Sequence, residues 1–205
     1  MHAAIGVDLD NTLVSYDAVF HLAACEEGLI HPSLPGSKER VRDAIRLLPD
    51  GESRWTRLQA IVYGPRMAEA AAFDGIVAFF QHCAAAGTRV WIVSHKTPFA
   101  SLDGGRVDIR EAALRWMKTK GFFDPDGLAL SPGDVFFEST RAEKIERIRA
   151  LRCTHFIDDL AEVFAESAFP QETAKLLFSA HGAHSPASGV RAFKTWRELD
   201  QFFFG

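Results

Sequence analysis

The side chains best suited to acid–base or metal chemistry follow directly after short apolar runs. Asp8 and Asp10 follow the first run, Ser94 follows a second, and Asp158 and Asp159 follow a later one. If these runs are parallel strands, their carboxyl ends face one crevice and the four carboxylates meet there. Two like charges about 4 Å apart repel by on the order of 4 kcal/mol at an effective dielectric constant of about 20, so the group requires a cation, a raised pKa, or both. Because all-oxygen ligand sets favour magnesium, we expect a Mg²⁺ site.

Lys144 is a candidate partner for these carboxylates. Thr140 and Glu143 have the spacing of a capping box, which places Lys144 in the first turns of a helix. The helix macrodipole disfavours a cation there by about 0.3–1 kcal/mol, so we expect a compensating negative partner. A solvated surface lysine is the alternative, and Lys96, two residues after Ser94, is a competing cation.

The elements that must position these residues alternate between short apolar runs and longer stretches of helical period. This pattern predicts an α/β fold with a Rossmann-like parallel sheet of about five strands sandwiched by helices. The predicted strands are Ala3–Val7, Arg89–Val93, Val135–Phe137, Thr154–Ile157 and Lys175–Phe178. The predicted helices are Gly75–Ala86, Val107–Lys120, Thr140–Leu151 and Leu160–Ser167.

The segment 15–73 is too long for a simple connection between the first strand and the next helix. Apolar spacing predicts short helices in Ala18–Leu29, Val41–Leu48 and Trp55–Val62. We therefore expect a small helical cap at 15–73, inserted after strand one, and an α/β core formed by 1–14 and 74–205.

Composition limits the classes of partner. The 205 residues include 23 Lys and Arg against 27 Asp and Glu, a formal net charge of −4, so the chain lacks the basic excess of a protein that grips many phosphates. The segment Gly36–Arg66 carries seven basic residues against four acidic ones. Solvated helix faces account for that excess, and a basic lid that attracts an anionic substrate is the second interpretation.

The sequence shows no pattern typical of a membrane span, a signal peptide, a disulfide framework or a zinc site. No apolar run reaches the roughly 18 residues of a membrane span, and the first residues lack the basic region and apolar run of a signal peptide. Cys25, Cys83 and Cys153 are far apart and form no C-x-x-C pair, so we expect neither a disulfide framework nor a zinc site. We expect a cytoplasmic protein, a monomer or homodimer, that binds neither nucleic acid nor membrane.

The order of four stretches carries more information than any one of them. Ile5-Gly-Val-Asp-Leu-Asp-Asn-Thr12, Val90–Ser94, Lys144 and Phe156–Asp159 resemble the four motifs of the haloacid dehalogenase-like (HAD) hydrolase superfamily. The motifs span residues 5 to 159, and the helical insertion falls where that superfamily has its small C1-type cap.

The resemblance implies a role for each residue. Asp8 would be the nucleophile that forms an aspartyl-phosphate, and Asp10 the acid/base that protonates the leaving oxygen and then activates water. Ser94 and Lys144 would bind and neutralise the transferring phosphoryl group, and Lys144 would also orient Asp8. Further phosphate contacts would come from Asn11 and His95 through backbone groups and from Thr12, which would also order the turn after strand one.

The resemblance also implies a set of ligands for Mg²⁺. The metal would be held by Asp8, by the backbone carbonyl of Asp10 and by Asp158, with Asp159 binding directly or through water. When bound, it would screen the anionic nucleophile from an anionic substrate.

Asp10 favours one branch of the superfamily. Similar dehalogenases lack an aspartate at this position, whereas phosphatases and phosphomutases carry one, because a phosphoester oxygen needs a proton on leaving. We therefore predict a Mg²⁺-dependent phosphatase that acts on a small phosphorylated metabolite beneath a cap. A phosphomutase or phosphotransferase, or a catalytically silent binding module, are the alternatives. A phosphorelay receiver domain is disfavoured, because its acidic pair ends strand one, whereas here Asp158 and Asp159 come last.

Overall fold

The computed structural model describes residues 3–125, 127–182 and 188–205. The strands are β1 (Ala4–Val7), β2 (Val14–Ser15), β3 (Ala71–Ala72), β4 (Arg89–His95), β5 (Phe99–Leu102), β6 (Gly105–Asp108), β7 (Val135–Glu138), β8 (His155–Asp158), β9 (Ala174–Phe178) and β10 (Val190–Phe193). The helices are α1 (Asp17–Glu26), α2 (Lys38–Arg46), α3 (Gly51–Tyr63), α4 (Ile76–Ala85), α5 (Ile109–Thr119), α6 (Arg141–Ala150), α7 (Ala161–Ala165) and α8 (Trp196–Phe204). Within these ranges, no helix is both long and apolar enough to cross a membrane.

Six strands of the described chain form one sheet in the order β10-β9-β8-β1-β4-β7. Every neighbouring pair in it is parallel. The α/β class and the parallel sheet flanked by helices are therefore confirmed. The sheet has one strand more than the five or so predicted, since β10 was not foreseen. Two small sheets accompany it, β2 paired with β3 and the antiparallel hairpin β5-β6.

Strand β1 lies between β8 and β4 in the middle of the large sheet. Ile5 and Val7 are fully buried, as expected for a parallel strand covered on both faces, which carries a continuous apolar run. Gly6 leaves room for the neighbouring strand, because a Cβ atom there would lie 2.5 Å from Cδ2 of Phe156 in β8. Close packing thus fixes the position of β1, the strand that leads to Asp8.

Apolar side chains hold the helices against the sheet. A buried cluster joins α6 and α7 to strands β4, β8 and β9: Trp91, Val93, Ile145, Ile148, Cys153, Phe156, Val163, Phe164, Phe169 and Leu177. Aromatic rings join α4 to α8, where the centroids of Phe79 and Trp196 are 5.0 Å apart. The Trp196 indole N–H also donates to the carbonyl of Thr12 at 2.9 Å, which ties α8 to the turn after β1.

The chain divides into two compact units. Unit 1 comprises Met1–Val14, Ala72–Lys96 and Lys118–Gly205 and contains the six-stranded sheet. Unit 2 comprises Ser15–Ala71, which includes the three helices α1 to α3 expected of the cap, together with Thr97–Met117. The sequence pattern assigns this second segment to the core, so the structure differs from the expected boundaries here.

Side chains within unit 2 explain why its two segments group together. Arg57 of α3 donates from Nε to Asp103, in the turn of the β5-β6 hairpin, at 2.9 Å, and it also pairs with Glu27 after α1. The indole N–H of Trp116 in α5 donates to the carbonyl of Ala70 at 2.9 Å. The bonds from Arg57 to Asp103 and from Trp116 to Ala70 each join residues that are 46 positions apart in the chain.

Four of the seven basic residues of Gly36–Arg66 pair with acidic side chains. Arg42 pairs with Asp43, Arg46 with Glu52, Arg57 with Glu27 and Asp103, and Arg66 with Glu26 and Glu69. Ion pairing of this kind offsets the positive excess of Gly36–Arg66. It favours the interpretation of solvated helix faces over that of a basic lid.

Candidate active site

The predicted site residues gather at the carboxyl ends of three neighbouring strands. Asp8 directly follows β1, Ser94 is the penultimate residue of β4, and Asp158 is the last residue of β8. The sheet order β8-β1-β4 places Asp8 between the other two strands. The convergence expected from the sequence is therefore present in unit 1.

Lys144 is the cation at the centre of this cluster. It lies in the first turns of α6, whose capping box is formed by Thr140 and Glu143 as predicted. The Lys144 side chain is 2% exposed, and its Nζ donates to Asp8 Oδ1 at 2.6 Å and to Asp158 Oδ2 at 2.7 Å. The solvated-lysine alternative is excluded by this burial.

Lys96 is also buried, but it meets a different carboxylate. Its side chain is 2% exposed, and its Nζ lies 2.7 Å from Asp10 Oδ2. Its backbone N–H donates to the carbonyl of Glu138 at 2.8 Å, which continues the pairing of β4 with β7 by one residue. Lys144 and Lys96, the two lysines that the sequence offers as partners of the aspartates, thus pair with different carboxylates.

Burial and neighbouring charges together raise the pKa values of both Asp8 and Lys144. Burial raises the pKa of Asp8 to about 7; the nearby Lys144 lowers it in part, while Asp158 and Asp10 raise it. For Lys144, burial lowers the pKa, but attraction to Asp158 and Asp8 outweighs burial and leaves the pKa above its usual value. Lys144 therefore stays charged, and Asp8 holds its negative charge only weakly.

Three carboxylates are grouped closely enough to share a metal ion. Asp8, Asp158 and Asp159 each offer an oxygen atom, and these atoms lie within 4.8 Å of one another. Four carboxylates and two ammonium groups leave an excess of two negative charges, which matches a divalent cation. Hard oxygen ligands and this charge excess suit a divalent cation such as the Mg²⁺ that the sequence predicts.

Hydrogen bonds orient the two aspartates that follow β8. The backbone N–H of Leu160 donates to Asp158 Oδ1 at 2.9 Å, and Asn11 Nδ2 donates to Asp159 Oδ2 at 3.2 Å. Asn11 adopts the left-handed backbone conformation, with φ of 58°, which asparagine tolerates better than most residues. Its side chain thereby links the turn after β1 to the end of β8.

Two buried hydroxyl groups at the site, Thr12 Oγ1 and Ser94 Oγ, have no hydrogen-bond partner among the described residues. Such groups cost free energy unless a ligand satisfies them. For Ser94 this agrees with the expected contact to a phosphoryl oxygen. In the turn after β1, the backbone N–H groups of Leu13 and Val14 both donate to the carbonyl of Leu9.

His95 has an exposed side chain that lies 3.1 Å, through Nε2, from the carbonyl of Ser139. The His95 ring therefore contacts the residue that follows β7. The predicted phosphate contact of His95 rests on its backbone.

Comparison of the whole fold with solved structures finds close relatives in architecture. A HAD family hydrolase from Deinococcus radiodurans R1, solved with bound phosphate and sodium, matches 97% of this chain and 93% of its own, with a TM-score of 0.58 and 16% identity. The match to an L-2-haloacid dehalogenase covers 100% of this chain and 99% of the dehalogenase chain, with a TM-score of 0.59 and 16% identity. The match to a family IA, variant 3 HAD hydrolase from Entamoeba histolytica covers 96% of this chain and 94% of the hydrolase chain, with a TM-score of 0.58 and 10% identity.

The chain has the HAD-like fold. No family model and no curated protein matches the sequence, so the similarity is one of structure. The HAD-like fold accounts for the sheet order and for the position of the four sequence stretches at one edge of it.

Some features of the candidate site were not predicted. The bond from Asn11 to Asp159 and the pairing of Lys96 with Asp10 depend on side-chain directions. A signal for Lys96 is nevertheless present. Ser94 and Lys96 are two residues apart at the end of a strand, and residues at this spacing point to the same face.

Proposed function

We propose that the protein is a Mg²⁺-dependent phosphatase that hydrolyses a small phosphorylated metabolite through an aspartyl-phosphate on Asp8. The observation that carries the proposal is the pair of aspartates after β1. Asp8 lies among the three carboxylates that could share a metal, while Asp10, two residues later, is bound to Lys96. Two carboxylates in different surroundings suit the two tasks of nucleophile and proton carrier.

In the first step, a carboxylate oxygen of Asp8 attacks the phosphorus atom. The new O–P bond forms as the bond to the leaving oxygen breaks, and Asp10 donates a proton to that oxygen. In the second step, Asp10 takes a proton from water, the water oxygen attacks phosphorus, and the bond to Asp8 breaks. Inorganic phosphate is released, and both aspartates return to their initial state.

Charge on the transferring group needs donors beside the nucleophile. Lys144, 2.6 Å from Asp8, would neutralise a phosphoryl oxygen there, and the unpartnered hydroxyl of Ser94 would donate to another. Mg²⁺ held by Asp8, Asp158 and Asp159 would supply charge screening between nucleophile and substrate. Bound phosphate in the similar Deinococcus hydrolase supports phosphate chemistry in a site of this fold.

The small size of the substrate is supported by connectivity. The first segment of unit 2, Ser15–Ala71, follows β1 and the two aspartates in the chain, which is the position of a helical cap in the superfamily. Caps of this kind restrict access by large substrates.

Dehalogenation is the second candidate, because an L-2-haloacid dehalogenase is among the similar structures. That reaction also uses an aspartate nucleophile, but a halide leaves without a proton. It would give Asp10 no task, although a buried lysine is paired with this carboxylate.

A direct assay separates the two candidates. Wild-type protein is incubated with p-nitrophenyl phosphate and, separately, with 2-chloropropionate, with and without MgCl₂, and phosphate and chloride release are measured. We expect Mg²⁺-dependent phosphate release, which Asp8→Asn abolishes while the far-UV circular dichroism spectrum is retained. Asp43→Asn, at an exposed residue in unit 2, is the charge-matched control and should keep its rate.

Chloride release without phosphate release would replace the proposal by dehalogenation. Phosphate release that survives in Asp8→Asn would remove Asp8 as nucleophile. Recovery of phosphate on an added alcohol rather than in water would indicate a phosphotransferase.

A further inference from the structure

Lys96 is a second buried lysine at the candidate site. Its Nζ lies 2.7 Å from Asp10, and the side chain is 2% exposed. Burying an ammonium group costs several kcal/mol in general, and one ion pair recovers this only when its geometry is good. Such a pair therefore serves to fix geometry more than to add stability.

Both partners of this pair have fixed backbones. The N–H of Lys96 is bonded to Glu138 at the end of β7, so the lysine continues the ordered end of β4. Asp10 lies in the turn after β1 and forms a bridge with Val14. The ion pair thus spans the ends of two adjacent strands that are themselves anchored.

The two lysines divide the acidic cluster. Lys144 holds Asp8 and Asp158, two members of the group that could bind a metal, while Lys96 holds the carboxylate of Asp10. The Asp10 side chain is 20% exposed, compared with 7% for Asp8 and 0% for Asp158. Asp10 is therefore more open to an incoming substrate or water molecule than either carboxylate that Lys144 holds.

We propose that Lys96 is a positioning residue for Asp10: its ion pair holds the Asp10 carboxylate apart from the three-carboxylate group and in reach of the leaving oxygen. This inference rests on the proposed phosphatase function. Lys96 acts through Asp10, whereas Lys144 acts on the nucleophile and on the transferring group.

The test uses two esters of similar size, p-nitrophenyl phosphate with a good leaving group and phenyl phosphate with a poor one. Proton donation contributes about 10²–10⁴-fold to rates, and it matters more for the poor leaving group. In Lys96→Met we expect kcat to fall about tenfold further on phenyl phosphate than on p-nitrophenyl phosphate, with KM little changed. Lys96→Arg, which keeps a cation, should recover much of the loss on phenyl phosphate.

A double-mutant comparison shows whether Lys96 acts through Asp10. Asp10→Asn should show the same preference for the good leaving group, and adding Lys96→Met to it should cause little further change in that preference. Lys175→Met is the control for loss of a partly buried lysine, since Lys175 Nζ donates to the carbonyl of Phe164 at 2.8 Å. This variant should leave the ratio of the two rates unchanged.

Equal losses of kcat on both esters, or a rise in KM alone, would overturn the inference in favour of a structural or phosphate-binding role. A crystal structure of Lys96→Met gives a readout that needs no activity: the Asp10 carboxylate should move from its wild-type position. An unmoved Asp10 overturns the inference. Wild-type protein inactive on both esters would instead refute the phosphatase function, and the crystal structure alone would then decide the positioning role.

Discussion

Asp8 and Asp158 are ionisable groups with almost no access to water, and their side chains are 7% and 0% exposed. Both depend on Lys144 for a positive partner within hydrogen-bond distance. Two carboxylates share one ammonium group, so the apo site has more negative charge than its protein cations neutralise. The stability of this site should therefore respond to lysine removal, to pH and to divalent metal.

Replacement of Lys144 by methionine should destabilise the protein strongly. Removing one partner of a buried ion pair leaves uncompensated charge and costs about 3–5 kcal/mol. We expect the free energy of unfolding in urea to fall by an amount in this range, and MgCl₂ to restore part of it by binding the carboxylates left without a cation. Lys175→Met is again the control. A Lys144→Met variant as stable as wild type without metal would contradict the ion pairs described here.

Stabilisation by Mg²⁺ should depend on pH through Asp8. The folded-state pKa of Asp8 is about 7, above its ordinary value of 3.8, so between these values the folded protein holds a proton that the unfolded chain has released. The contribution of Asp8 to stability is thus present at low pH and is lost as pH rises towards 7. Mg²⁺ must displace this proton, so its affinity should fall by up to about tenfold per pH unit below 7.

Melting temperatures with and without MgCl₂ measure this effect. The increase caused by Mg²⁺ should be larger at about pH 8 than at about pH 5.5, and the difference should shrink in Asp8→Asn. An increase of the same size at both pH values would show that no proton on Asp8 competes with the metal.

At the scale of elements, β1 carries the nucleophile and is fixed by close packing. Substitution Gly6→Ala places a methyl group 2.5 Å from the Phe156 ring, which is fully buried and has no room to move. Overpacking of this kind costs about 1–3 kcal/mol, and displacement of β1 would also shift Asp8 two residues later. We expect a lower urea midpoint and a lower kcat.

The matched control is Gly133→Ala, where the nearest atom to a new Cβ is Ser131 Oγ at 3.5 Å. Adding Phe156→Leu to Gly6→Ala should recover part of both losses, because the smaller side chain can make room. If Gly6→Ala behaves like Gly133→Ala, the contact between β1 and β8 is looser than described.

The elements that sequence reasoning predicts best are those with one dominant signal. The buried parallel strands are continuous apolar runs, and the start of α6 is marked by its capping box, so both were predicted. The β5-β6 hairpin was missed although Asp103-Gly104, with φ of 49° and 80°, is a hairpin turn signal. Helix α8 was also missed, although Thr195 caps it through the N–H of Glu198.

The site was predictable in its residues and in the contact of Lys144 with Asp8, but not in the pairing of Lys96 with Asp10. The order of aspartates, serine and lysine predicts which groups meet, because parallel strands end at one edge. Which lysine binds which carboxylate depends on side-chain torsions, which spacing alone does not determine. Lys96 and Asp10 illustrate this limit: both are visible in the sequence, and their 2.7 Å contact is not.

At the scale of the whole molecule, unit 2 is assembled from two segments separated by a stretch of unit 1. Sequence analysis identified the first segment from its length and helical spacing. The second is joined to it through Arg57 and Trp116, contacts between residues far apart in the chain, so no local pattern could assign it.

Substitution Arg57→Ala should loosen the hairpin locally. It removes the bonds to Asp103 and Glu27, and since these groups are largely exposed, we expect only a small change in overall stability. Hydrogen exchange should become faster for amides of residues 99–108 and stay unchanged in the six-stranded sheet. Arg46→Ala, which removes a short-range pair with Glu52, should leave the hairpin unaffected. Unchanged exchange in Arg57→Ala would show that other contacts hold the hairpin.

The central position of β1 affects how a growing chain acquires its site. Ile5 pairs with Val90 on one side and with His155 on the other, so β1 leaves the ribosome well before the two strands that it pairs with. Such distant pairing slows folding, and an unpaired apolar strand is prone to associate with other chains in the meantime. Nascent chains that end before Asp158 therefore lack a complete metal site and expose the β1 edge that β8 later covers, which makes them candidates for chaperone binding during synthesis.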